Sequence, residues 1–126
     1  MNPFGLIRSY TAGGAIARNR IVAWSATEGR VVQASAVTDK LMGASGVVGV
    51  TAAGDRLDIH RSEFAKVAFG GAVSQGDPLT TDADGKAVAA APATGVNVHC
   101  LGWAEVDAVA GDIGEVFIHP FILQGA

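Results

Sequence analysis

The sequence predicts a mainly β protein: a small β-barrel or clip-like β fold with an internal pseudo-duplication and an extended N-terminal arm. Three observations predict it. Short runs of Val, Ile and Thr alternate with turns bearing Gly and Asp. Residues 76–88 read as a strand, a polar turn around Asp84-Gly85 and a returning strand. Residues 22–32 repeat that layout, with Thr27-Glu28-Gly29 at the tip. The echo continues downstream. Met42-Gly43 resembles Leu101-Gly102, residues 50–55 resemble residues 106–112, and Ile59-His60 resembles Ile118-His119. Two copies at this long period fit a pseudo-symmetric β fold rather than a solenoid.

Residues 1–19 read as the arm. Pro3, Gly5, Gly13 and Gly14 disfavour regular structure, while Phe4, Leu6, Ile7 and Tyr10 need cover from a neighbour or from the domain itself. Deleting residues 2–14 is expected to leave the domain folded. Residues 20–126 form a single β domain. Residues 21–25 and 30–34 make the first hairpin, and residues 57–60 a strand after the turn at Gly54-Asp55. Residues 63–69 alternate with a period of two, Ala65, Val67 and Phe69 facing one way and Lys66 the other. A helix over residues 62–68, capped by Ser62, is the rival reading. Residues 79–81 and 86–91 form the second hairpin. Residues 98–109 read as one long or bent strand with Trp103, Glu105 and Asp107 on one face. Residues 114–123 are the last strand. Its two faces, Val116/Ile118/Pro120 and Phe117/His119/Phe121, are both apolar enough to need cover.

Composition bounds the function. A chain of 126 residues holds one ordinary core. A net charge of −3 argues against a general nucleic-acid binder. The charge is uneven: residues 1–40 carry five bases and two acids, and residues 41–126 four bases and ten acids. A basic N-terminal portion on an acidic body suits an acidic partner surface. The single cysteine, Cys100, forms no internal disulfide and fits assembly in a reducing cytosol. No apolar run approaches the roughly 20 residues that span a bilayer, and Arg8, Arg18 and Arg20 interrupt any signal-peptide pattern.

No chemical motif survives its spacing. Asp82-Ala83-Asp84-Gly85 resembles a calcium loop, but its fifth and twelfth positions would be Lys86 and Ala93. His60, His99, His119 and Cys100 are conceivable metal ligands. His99 and Cys100, however, point to opposite faces of a strand, and His60 and His119 occupy matching places in the two halves. Gly43-Ala44-Ser45-Gly46 misses the nucleophile-elbow spacing. The expectation is a non-enzyme without cofactor, metal, membrane or small-molecule partner. The candidate contact residues are Phe4, Leu6, Ile7, Tyr10, Trp103, Phe117 and Phe121, Trp being a favoured interface anchor.

The run from Gly70 to Val88, with Gly102-Trp103-Ala104-Glu105 and the later Gly111-Asp112-Ile113-Gly114-Glu115-Val116, resembles the phage capsid cement (decoration) proteins, the family of the lambda head decoration protein D. The resemblance covers roughly residues 20–120 and rests on the order and spacing of turn signals. It implies a virion structural protein, made in the bacterial host cytoplasm. It would bind the major capsid protein on the outer capsid surface as a homotrimer and stabilise the expanded shell. It implies no catalytic residues. Two other readings stand beside it: a tail or head-fibre structural protein, and a trimeric β-fold nucleotide hydrolase.

Overall fold

The computed structural model describes residues 6–125. Ten strands and no helix make up the described chain. Strands β1 (Ile7–Ala12), β2 (Ile21–Trp24), β3 (Arg30–Gln33), β4 (Leu41–Ala44) and β5 (Arg56–His60) close into a barrel of order β1-β3-β2-β4-β5. Strands β6 (Glu63–Ala68), β7 (Pro78–Thr81), β8 (Ala87–Ala89), β9 (Asn97–Ala104) and β10 (Ile113–Gln124) form a sheet of order β6-β10-β9-β7-β8.

These two orders are the same circuit. Substituting β6 for β1, β7 for β2 and so on turns one into the other. In the barrel, β1 pairs with β5 antiparallel along its length and with β3 parallel at Thr11 and Ala12. In the sheet, β6 pairs with β10 antiparallel, while the outer strands meet through one parallel bridge, Phe69 to Ala87. Loop hydrogen bonds repeat as well. Ile16 and Val50 exchange N–H···O bonds, as do Val73 and Ala108. The Ala12 N–H donates to Asp55 O and the Phe69 N–H to Asp112 O. The duplication legible in the sequence is thus a duplicated topology.

Gly43 and Gly102 show why small residues recur at matching places. A Cβ on Gly43 would lie 2.3 Å from the carbonyl oxygen of His60, on the neighbouring β5. A Cβ on Gly102 would lie 1.9 Å from that of Phe117, on β10. In each half the fifth strand presses against the fourth where only glycine fits.

The halves share a core. Val22, Val31, Met42, Leu57 and Ile59 fill the barrel. The other faces of β2 and β4, through Ile21, Ala23, Leu41 and Ala44, pack on Val67, Phe69, Leu101, Val116 and Ile118 of the sheet. Burial on both faces explains why β2 and β4 are short continuous apolar runs instead of alternating ones.

Two expectations change. Residues 7–12, expected in an extended arm, are instead β1. Its backbone groups find partners on β5, some fifty residues away, which no local pattern announces. Deletion of residues 2–14 therefore removes a barrel strand. The strand expected over residues 63–69 is present as β6, and the rival helix is not, because β10 supplies its hydrogen bonds. The strand expected over residues 98–109 ends at Ala104. Glu105 and Asp107 lie in the following loop, where the Asp107 carboxylate accepts from the Gln75 N–H. The sequence reading did not pick out β4, which sits mid-sheet in the barrel.

Candidate contact surface on the second sheet

On β10, Val116 and Ile118 point inward and are buried. Alternation sends Phe117 and His119 outward. A register shift between Ile118 and Phe121 interrupts the regular pairing with β9, and beyond it the Phe121 ring still reaches Trp103. Trp103 on β9 is the Cα partner of Phe117, and Phe64 on β6 is its partner on the other side. The result is a row of rings across three strands. Phe64 meets Phe117 edge to face at 5.4 Å, and Trp103 stacks on Phe121 at 4.9 Å with 17° between planes. His119 stacks over Phe117 at 6.5 Å. An aromatic pair such as Phe64–Phe117 or Trp103–Phe121 contributes about 0.5–1.5 kcal/mol beyond its area burial. Phe64 and Trp103 remain 36% and 38% exposed, so a preformed apolar surface faces solvent.

This surface runs into a groove of about 370 Å³ between barrel and sheet, lined by Ile7, Val47, His60, Phe64, Lys66 and Glu115. His60 Nδ1 is buried there without a hydrogen-bond partner. Burial pushes the imidazole below its ordinary pKa, with Asp58 partly opposing.

Trp103, Phe117 and Phe121, named from the sequence, come together. Phe64 was missed, although the period-two pattern of residues 63–69 already placed it opposite the core face. The N-terminal candidates do not join the row. Phe4 lies outside the described residues. Leu6, 56% exposed, sits just before β1 with its N–H donating to Ser62 Oγ at 2.9 Å. Ile7 lines the groove. Tyr10 is engaged within the chain: it meets Trp24 edge to face at 5.6 Å, and the Arg61 guanidinium donates to its hydroxyl. Arg61 also lies over the Trp24 ring at 5.2 Å and donates from Nε to Met42 O at 2.9 Å.

Among the described residues, no three His, Cys, Asp or Glu side chains converge as metal ligands. Asp82 Oδ1 accepts from the N–H groups of Asp84 and Lys86, so the acidic tip is an internally bonded turn. Cys100 is buried, and burial raises its thiol pKa.

The fold is shared with a phage head-fibre base. The N base of the head fibre gp8.5 of bacteriophage phi29 superimposes with a TM-score of 0.65 over 90% of this chain and 93% of that one, at 22% identity. No family profile and no curated protein matches the sequence. With that fold, the sheet carries an aromatic row on its outer face.

Proposed function

We propose that this protein is a structural component of a phage head, standing on the outer surface of the shell as the base of a head fibre. The observation that carries this reading is the fold shared with a head-fibre base along nearly the whole chain. The row of Phe64, Phe117, Trp103 and Phe121, exposed at Phe64 and Trp103 and half-buried at the other two, supports it, because assembly would bury that apolar surface. In this reading the protein self-associates as a homotrimer and grips the major capsid protein. Several joints must then open together before it leaves, so modest interfaces of about 800 Å² per partner suffice. It takes no nucleic acid, membrane or small molecule and catalyses nothing.

Capsid cementing is the second reading, favoured by the motif run from Gly70 to Val88 and the later Gly102-Trp103-Ala104-Glu105. One experiment tests both. Purified protein is mixed with expanded empty heads of the phage that carries it, the heads are pelleted, and they are imaged by electron microscopy. Density at the foot of projecting fibres supports the first reading, and patches bridging capsomers support the second. Folded protein left in the supernatant refutes both. A Trp103→Ala/Phe117→Ala variant is expected to stay unbound. Its mass in solution separates lost self-association from lost shell contact.

A further inference from the structure

The bases of the N-terminal portion find an unexpected companion. Arg18 and Arg20 precede β2, and Lys86 ends the β7–β8 turn. The fold brings all three to one pocket of about 340 Å³, completed by Ala17, Ala68 and Gly111. No carboxylate lines it. Acids stand in the adjoining turns but outside the lining: Asp82 Oδ1 accepts from the Asp84 and Lys86 N–H groups, Asp112 Oδ2 accepts from the Val109 N–H, and Asp84 is exposed two residues before Lys86.

Arg20 is the decisive residue. Its Nη1 donates to Arg18 O at 3.2 Å, but its Nε is buried and has no partner. A buried guanidinium donor left unpaired is costly and is the kind of group that an anion satisfies. The surrounding backbone is held firmly at the seam of the two halves. The Ala68 N–H donates to Asn19 O at 2.8 Å, the Ile21 N–H to Gly85 O at 2.7 Å, and Asn19 Nδ2 to Lys66 O at 3.1 Å. The cations are therefore presented by preorganised backbone.

We propose that the pocket formed by Arg18, Arg20 and Lys86 binds an oxyanion, either a phosphate or a carboxylate. The anion would take up the free Nε–H of Arg20 and offset the mutual repulsion of three like charges. This inference stands apart from the head-fibre reading, since it rests on the seam and not on the aromatic face.

The test follows the Arg20 Nε–H resonance by NMR in the full chain at neutral pH. Sodium phosphate, sodium glutarate and sodium chloride are titrated at matched ionic strength. A saturable shift with phosphate or glutarate, absent with chloride, supports the site. Saturation by phosphate alone assigns a free phosphate, by glutarate alone a carboxylate such as a partner's acidic side chain, and by both a general oxyanion site. In the Arg18→Gln/Lys86→Gln variant the apparent Kd is expected to weaken about tenfold or more, as loss of charge-assisted bonds implies. Arg18→Gln alone, at an exposed position, must weaken binding in the same direction should the double variant not fold. A drift equal to that with chloride, or saturation undiminished in the variants, overturns the proposal.

Discussion

Replacing Phe69 with Ala tests whether the two halves are one cooperative unit. Phe69 has no exposed surface and is the largest fully buried side chain. It belongs to the core cluster that joins Ile21, Ala23 and Leu41 of the barrel to Val67, Leu101 and Val116 of the sheet. Truncating a buried Phe to Ala costs about 3–5 kcal/mol, transfer and cavity terms together. That is a large fraction of the roughly 5–15 kcal/mol that holds an ordinary domain. With a urea m-value of about 1.5–2 kcal/mol/M for a chain of this size, the midpoint falls by about 1.5–3 M. The protein carries its own reporters. It has two tryptophans, Trp24 on barrel strand β2 and Trp103 on sheet strand β9. Trp103→Phe leaves fluorescence from the barrel alone, and Trp24→Phe from the sheet alone. In both backgrounds Phe69→Ala should shift the transition by the same amount. A shift seen by Trp103 while the Trp24 transition stays put would refute the shared-core reasoning, because the barrel would then be unfolding independently.

Further outcomes follow from single sites. Gly43→Ala places a methyl 2.3 Å from His60 O and 2.8 Å from an Ile59 methyl. It should lower stability by about 1–3 kcal/mol, measured by denaturant unfolding, because backbone must move. His60 is held below its ordinary pKa of 6.5, chiefly by burial. The unfolded chain therefore binds the proton more readily, and His60's contribution is present above about pH 6.5 and lost as the pH falls through the folded pKa. Melting temperature measured from pH 8 down to pH 5 should decline less in His60→Gln than in the wild type. An identical decline would count against the assignment. Cys100, buried with a raised pKa, should react with iodoacetamide only slowly at neutral pH and quickly in denaturant, as followed by mass spectrometry.

The parts of the fold legible in the sequence are those that local chemistry dictates. Asp84-Gly85 and Thr27-Glu28-Gly29 mark hairpins whose strands pair with their immediate neighbours, so turn chemistry was enough. β1 was illegible because its partner lies on β5, and a strand rich in polar residues with Gly-Gly beyond it reads locally as a tail. The alternation through residues 98–109 continues past Ala104, where the chain has already left the sheet. Ala108 is buried by its bridge to Val73, not by belonging to β9. The candidate surface was half legible. Trp103, Phe117 and Phe121 stood out as large side chains needing cover, and alternation already joined Phe117 to Phe121, but the register that sets Trp103 beside them is a tertiary fact. The anion pocket was illegible as a site. The excess of bases near the N-terminus was visible, yet nothing local links Arg18 and Arg20 to Lys86.

The position of β1 between β3 and β5 has a consequence for the order of events during synthesis. It is made before any of its partners. When β3 emerges, it offers only the short parallel pairing at Thr11 and Ala12. The long antiparallel pairing waits for residues 56–60. Until then the barrel is an open ribbon whose closing edge, β1, is its first-made strand. The second half repeats this delay, with β6 waiting for β10. A ribosome-bound fragment ending before residue 56 should therefore remain open to protease at β1, whereas one extended well past residue 60 should not.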